Sequence, residues 1–417
     1  MLPFLIMVVI GGLALGGLVI DLGMAILTQA QMQAAADPAA LEGLRFRDAL
    51  DGNGQPIGDE GRRMVAARMA SLVFDDDLEP AAPSVLPLQL GAGPELELMD
   101  HDDPAIAALY ASRTIVVSDQ RTYLPRLQLN LTNEPHGDLV AGTFVSPWPL
   151  ALSREERSYE RNDFLPSDQA ISARAPAFLV RLRRTNDLDG LDHQEGVSSG
   201  GSPIPLLAGH GSLTPFANPD NPNNYNFRAH GFTVRATALA EAQPALRVGF
   251  PQTNVTPPVE GALPFALALE LWNSLPVEQP VVLTVDATGT ISGNGLAVAG
   301  RFTPPPPDPT AMTMVGQAIV PAAPLLGADR TGYVPIYRSF EEAGQAVERV
   351  IGFGRLAVRG PLPTLTILRL PGVVAPMNVS RHITGAASFP QDPEVWQALF
   401  EANRALGDAV LAPVLVR

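Results

Sequence analysis

The first twenty residues, MLPFLIMVVIGGLALGGLVI, limit this chain more than any other stretch. From Leu2 to Ile20 no side chain carries a charge. A helix over such a run is about 28 Å long, close to the ~30 Å hydrocarbon thickness of a bilayer. The run predicts a helix that crosses a membrane or forms the core of a filament. A cleaved secretory signal would have a basic start, a shorter apolar core and a small-x-small site. No basic residue stands before the run here, and its periodicity continues past Asp21, so we read it as a retained anchor. Gly12 and Gly16 form a GxxxG with Gly11, Ala14 and Gly17 nearby, and Leu5, Val8 and Val9 lie in adjoining turns. Small residues at this spacing let helices approach closely, which makes Gly12 and Gly16 the candidate helix-packing residues. Flanking charge orients the segment weakly, because the first basic residue is Arg45. The strand-rich, Pro- and Gly-rich bulk predicts an amino terminus inside and the remainder outside the cytoplasm.

Asp21-Leu22-Gly23, then Gln29, Gln31 and Gln33, then Ala35-Ala36-Asp37-Pro38-Ala39-Ala40-Leu41-Glu42-Gly43 follow in order. Together they resemble the amino-terminal segment of TadE/TadG-like pilus-assembly proteins, over roughly residues 5–45. In that family an apolar helix ends in Val-Asp and continues into a Gln-containing helix and an Ala-Asp-Ala-Ala-Ala-Leu-Ala-Gly run. The basic, Gly-containing start of the family is missing here. Pro38 stands in place of an Ala and predicts a kink or a restart of the helix. Position 5 is Leu and not Glu, so processing of the type IV pilin kind is not implied. Two later runs, Phe178 to Thr185 and Gly231 to Ala238, are also similar to TadG-related proteins. The resemblance implies a single-pass protein of a bacterial inner membrane, with its bulk periplasmic or extracellular. Its partners would be other membrane or filament subunits, met through the amino-terminal helix, and the lipid bilayer. The resemblance names no chemistry.

The rest of the chain reads as α+β, mainly β. Of 417 residues 46% are hydrophobic and only 17% charged, enough for real cores under a neutral-polar surface. Pro (41) and Gly (37) are abundant, which favours short strands and many turns. Residues 1–50 form the transmembrane helix and its extension, and 51–112 a helical and loop segment. Within the latter, 59–74 reads as an amphipathic helix with Met64, Ala67, Leu72 and Phe74 as its apolar members, stopped by Asp75-Asp76-Asp77, and Asp103-Pro104 opens a short one. Residues 113–303 read as a β-rich, sandwich-like extracytoplasmic domain, short strands at this spacing suggesting a sandwich or a barrel, with strands at TIVVSD, LQLNLT, LVAGTFVS, AFLVRLRRT, FTVRATALA, ALRVGF, FALALELW, VVLTVDATGT and LAVAGRF. Residues 304–310 are a Pro-rich linker. A second β-rich segment, 311–417, holds QAIVP, YVPIYRS, RVIGFGRLAV and LTILRL. It ends in an amphipathic helix opened by Asp392-Pro393-Glu394 and striped by Val395, Leu399, Leu406 and Val410, with Trp396 and Phe400.

Chemistry is thinly represented. The chain has no Cys, and its 28 basic residues are all Arg, so Cys and Lys nucleophiles, Schiff bases and P-loops are excluded. A net charge of −15 without a basic stripe speaks against nucleic acid as a partner. Gly196-Val197-Ser198-Ser199-Gly200 matches G-x-S-x-G, with His193 and His210 near in sequence, but lacks the strand and helix of a nucleophile elbow. Asp286-Ala287-Thr288-Gly289-Thr290 is similar to the metal site of a von Willebrand A domain. That site needs a helix after it, and ISGNGLAVAG reads instead as the turn and strand of a hairpin. Asp187, Asp189 and Asp192 are the candidate calcium ligands, in an Asn/Asp/Gly loop. The loop from Asp51 fails as an EF-hand, having Pro56 at position 6 and Arg62 at position 12. Gly352 to Ala357 lacks the helix a dinucleotide loop needs. The expectation is a non-enzymatic envelope protein without a cofactor, structural in a pilus-like system or accessory in a larger complex. A calcium- or ligand-binding adhesin module and an envelope hydrolase are the alternatives.

Overall fold

The computed structural model describes residues 2–51, 53–73, 127–145, 163–184, 197–199, 233–249, 251, 259–304, 312–324, 329–375, 379–381, 390 and 392–416. The chain forms two compact units. One holds Met1–Arg47, Ile57–Glu241 and Leu415–Arg417, and the other Asp48–Pro56 and Ala242–Val414.

In the first unit a single helix, α1 (Leu2–Arg45), runs straight through Pro38. The restart expected at Pro38 does not occur. The helix loses one backbone hydrogen bond there, but Ala35, Ala36, Ala39 and Ala40 on either side are all fully buried and hold the segment in place. Their small side chains match Ala66, Ala67 and Ala70 of α2 (Gly58–Val73), also fully buried. The two helices therefore pack backbone to backbone.

Both helices lie on an antiparallel sheet in the order β15-β4-β3-β1-β2. Its strands are β1 (Leu139–Phe144), β2 (Phe164–Pro166), β3 (Ala177–Arg184), β4 (Val234–Pro244) and β15 (Leu411–Val416). A four-residue helix, α3 (Gln169–Ser172), connects β2 to β3. The central strand β3 is buried at all eight positions, as expected of a strand covered on both faces. Phe178 faces the helices: its ring fills the place a Cβ on Gly43 of α1 would take. Leu179, one residue on, joins Val140, Phe164, Ala177 and Leu239 in a core cluster on the other face.

LQLNLT, expected as a strand, is a loop. Asn130 and Asn133 take positive φ (52° and 58°), and their amides replace the ladder. Asn133 accepts from Ala141 N (2.8 Å) and donates to Ala141 O (2.9 Å), as a neighbouring strand would.

The second unit is a closed barrel and not a sandwich. Its strands are β6 (Phe265–Ala268), β7 (Pro280–Val285), β8 (Thr290–Gly293), β9 (Leu296–Phe302), β11 (Arg330–Glu342), β12 (Gln345–Arg359) and β13 (Thr364–Leu370). They run β11-β12-β13-β7-β8-β9-β6, and parallel pairing of Leu267 with Ile336 and of Ala268 with Tyr337 closes the ring. Closure leaves this sheet no open edge. The interior is filled by Phe265, Phe302, Ile291, Ile336, Leu356 and Ile367. The long β11–β12 hairpin turns on Ala343 and Gly344, both at positive φ, which suits the right-handed twist of its strands.

FALALELW, expected as one strand, changes to a helical turn, α4 (Leu269–Ser274), after Ala268. The change carries Trp272 into the core, where its ring fills the place a Cβ on Gly354 would take. QAIVP contributes only a bridge, Ala318 to Arg349, and no strand. β5 (Arg247–Gly249), β10 (Met312–Met314) and β14 (Val379–Ser380) make a small separate sheet. The terminal helix, α5 (Pro393–Arg404), is capped by Asp392, whose side chain accepts from Glu394 N at 2.9 Å. Val395 and Leu399 are buried as expected. Leu406 and Val410 are also buried but lie beyond the helix end.

Candidate functional site

Among the described residues, most of the exposed large apolar side chains lie on the amino-terminal part of α1. From Ile6 to Ile20 its large side chains are exposed on every side, from 50% at Ile6 to 75% at Met7. Leu13, Leu15, Leu18 and Val19 all exceed 60%. Its 18-residue window has a mean hydropathy of 2.2 with 6% of its residues buried, long and apolar enough to cross a membrane. A helix apolar all round belongs in lipid or inside an assembly. A Cβ added at Gly11, Gly12, Gly16 or Gly23 would meet nothing within 4 Å. No close packing among the described residues explains those four glycines. Gly43 is the contrast, since the ring of Phe178 sits where its side chain would be.

Burial along α1 begins at Asp21 (5% exposed) and recurs at Thr28, Met32, Ala35, Ala36, Ala39 and Ala40. The helix is thus a free apolar rod followed by a docked half. Gln33 fastens the docked half, its Nε2 donating to Asp37 Oδ1 (2.7 Å) and to Thr237 O of β4 (3.2 Å).

Beneath the docked half lies a buried polar cluster that pattern reading missed. Arg62 and Arg63 of α2 are both fully buried and share one carboxylate. Arg62 Nε donates to Asp59 Oδ1 (2.7 Å) and Arg63 Nε to Asp59 Oδ2 (2.8 Å). Arg62 Nη2 donates to Ser172 O (2.6 Å). Arg63 donates to Asn133 Oδ1 (2.7 Å), to Leu129 O (3.0 Å) and to Leu139 O. Both guanidiniums stack on Phe178, with centroid distances of 5.0 and 6.0 Å. Burial pulls the Arg62 pKa down to about 10, with Asp59 acting the other way. Burial would raise Asp59, but the two guanidiniums outweigh it and hold it below the ordinary carboxylate value. Every Asp59 contact here is to a group of the protein itself, and the cluster serves to clamp α2 to the β1 loop. An Asp three and four residues before two Arg was visible in the sequence, but hydropathy placed the Arg side chains in solvent and Met64 inside. Met64 is 51% exposed.

A second buried cluster holds the segment around Ser198. Asp138, fully buried, accepts from Arg183 Nη1 (2.6 Å), Gln128 N and Ser199 N (2.8 Å each). Burial raises its pKa against the pull of Arg183. Ser198 is buried and donates its hydroxyl to His136 O (2.8 Å). That hydrogen is committed to a carbonyl, which can take no proton from it. Asp286 is an exposed turn residue: Oδ1 accepts from Thr288 N, Thr288 Oγ1 and Thr290 N, and these bonds hold its pKa low. The Asp51 carboxylate caps a turn in the same way, accepting from Asn53 N and Gln55 N. Gly352 to Ala357 lies within β12. Asp187, Asp189, Asp192, His193 and His210 lie outside the described residues. Among the described residues no cluster of three His, Asp or Glu could hold a metal.

A membrane-length apolar rod continuous with a docked helix over a β-rich body defines an anchored protein class. Residues 1–46 match the family model described as "Putative Flp pilus-assembly TadE/G-like". The match ends where α1 ends, so it covers the rod and the docked half, and the amino-terminal segment is TadE/G-like as its residues imply. No curated protein and no solved structure matches the chain.

Proposed function

We propose that this is a non-enzymatic envelope protein, anchored by the rod of α1, with a structural role in a Tad-type pilus system. The exposure of Ile6–Ile20 on all faces carries the reading, and the TadE/G-like match over the same residues supports it. In this reading the rod spans the inner membrane with its amino terminus inside, and the two β-rich units stand in the periplasm. Gly12 and Gly16 give the rod its closest approach to a neighbouring subunit, since small residues, and not hydrophobicity, set helix association in lipid.

Gly12→Leu and Gly16→Leu test the proposal. Both variants should still insert, because Leu is more apolar than Gly, and both should remain in membranes after alkaline carbonate washing. Both should fall out of the pilus-associated complex on native gels and in co-purification. Full incorporation of both variants would overturn the rod as the assembly element. Release of the full-length chain by carbonate would overturn the anchor.

A further inference from the structure

Beyond the GxxxG, α1 carries two heptad stripes. The first belongs to its own body: Asp21, Ala25, Thr28, Met32, Ala35 and Ala39 follow steps of four and three and are buried, Ala25 partly. The second alternates two layers. Ile6, Leu13, Ile20, Leu27 and Ala34 form one, and Val9, Gly16, Gly23 and Ala30 the other. All nine are exposed. Gly23 lies two residues from both Asp21 and Ala25, and Ala30 two from both Thr28 and Met32. At about 100° per residue, two residues turn the helix about 200°. The second stripe therefore points directly away from the body that the first one grips, and its residues are exposed among the described residues.

This free stripe does not stop at Asp21. Gly23, Leu27, Ala30 and Ala34 continue it beyond Asp21, where Leu27 is 59% exposed. Lipid accounts for the all-round exposure that runs through Ile6 to Ile26, Leu22 and Ile26 being 60% exposed, but beyond Ile26 the exposed apolar residues of the helix up to Ala34 are Leu27, Ala30 and Ala34, all on the stripe. The spacing explains the whole stripe. A repeat of 3.5 residues sustained for about four heptads is what a partner helix of the same repeat requires. Two copies of this chain, each held by the same rod, stand parallel with the same residues at the same depth. Each layer then meets itself across a two-fold axis. The two layers interleave, so Leu13, Ile20 and Leu27 are each flanked by a Gly of the partner, and the backbones close in at Gly16 and Gly23. A strip about 43 Å long and about 10 Å wide on each helix comes to roughly 900 Å² for the pair, near the ~1,000 Å² of a specific interface.

We propose that α1 pairs in parallel with α1 of a second copy along the seam from Ile6 to Ala34. The proposal rests on the anchored reading and names the partner of the rod.

Because the chain has no Cys, single cysteines report the seam cleanly. Gly23→Cys, Leu27→Cys, Ala30→Cys and Ala34→Cys sample it, while Leu22→Cys and Gln29→Cys, also exposed, sample the flank. Full-length protein in native membranes is oxidised mildly and run on non-reducing gels, where a pair of 44.2 kDa chains migrates at twice the monomer mass. Disulfides need Cα atoms within about 7 Å, so seam positions should cross-link at least roughly fivefold more than flank positions. Equal cross-linking at all six positions, or none at the four seam positions, overturns the proposal. Gly12→Leu keeps the two readings apart. If the seam cross-links while Gly12→Leu remains in the pilus complex, the pairing stands and the GxxxG contact fails. If Gly12→Leu leaves the complex and the seam does not cross-link, α1 meets a different polypeptide.

Discussion

Asp59→Asn should unlatch the first unit, and the size of the effect follows from its contacts. Asp59 is the counter-charge of two fully buried guanidiniums. Breaking a buried pair from one side costs about 3–5 kcal/mol. Arg63 keeps Asn133, Leu129 and Leu139 as acceptors and is largely compensated. Arg62 keeps only Ser172 O and the face of Phe178, with Nη1 already unpartnered. The loss therefore falls on Arg62 and belongs at the lower end, about 3 kcal/mol. That corresponds to roughly 150-fold faster hydrogen exchange through opening of the unit. Exchange at the β3 amides, measured by mass spectrometry on the full chain in detergent, reads it directly, with the barrel amides as internal control. The double variant Asp59→Asn, Arg62→Met should recover most of the loss, because it removes the uncompensated charge. Protection of β3 within about threefold of wild type in Asp59→Asn, or no recovery in the double variant, would refute the latch. Asp59 also sets an acid limit. Its folded pKa is depressed, so its stabilisation is present above the unfolded value of 3.8 and is lost as pH falls through the folded one. Wild type should lose β3 protection below about pH 4, and Asp59→Asn should lack that step.

Gly43→Ala should cost about 1–3 kcal/mol by overpacking against Phe178, and Phe178→Leu in the same chain should relieve part of it in urea titrations. Arg369→Met should weaken the barrel by about 2–4 kcal/mol, because Arg369 Nη1 serves Trp272 O (2.7 Å) and Leu275 O (3.1 Å) and the guanidinium stacks 4.3 Å from the Trp272 ring; a lowered denaturation midpoint by tryptophan emission checks it. Ser198→Ala and Asp286→Ala should leave pilus assembly intact, and any hydrolytic activity abolished by either in a folded protein would overturn the non-enzymatic reading.

What could be read from the sequence divides by the period of its signal. Strands with clear alternation, such as Thr364–Leu370, lie where their pattern puts them, with Leu365 and Ile367 inward. The cap Asp392-Pro393 also starts its helix where local chemistry requires. The expected sandwich gave way to a barrel because closure depends on a short parallel pairing, Leu267 to Ile336 and Ala268 to Tyr337, between residues far apart in the chain. No local pattern encodes that pairing. LQLNLT misled because its Asn side chains stand in for a strand without the backbone being one. The buried Arg62 and Arg63 were hidden by their charge, since their burial depends on Asp59, Asn133 and Phe178 arriving together. Gly12 and Gly16 were visible from the start, and what the fold adds is that no described residue packs where their side chains would be.

The uninterrupted course of α1 makes its rotational phase a mechanical constant. Without a loop or swivel between rod and docked half, the azimuth at which any neighbour grips Ile20 is fixed relative to Phe178, which Gly43 meets more than six helical turns further on. One residue inserted between Gly23 and Thr28 would swing the rod, and Asp21 with it, by about 100° relative to the docked half. Four inserted residues would lengthen the helix by about 6 Å and restore the azimuth to within about 40°. The helix thus acts as a keyed shaft, conveying orientation between membrane and body as well as attachment.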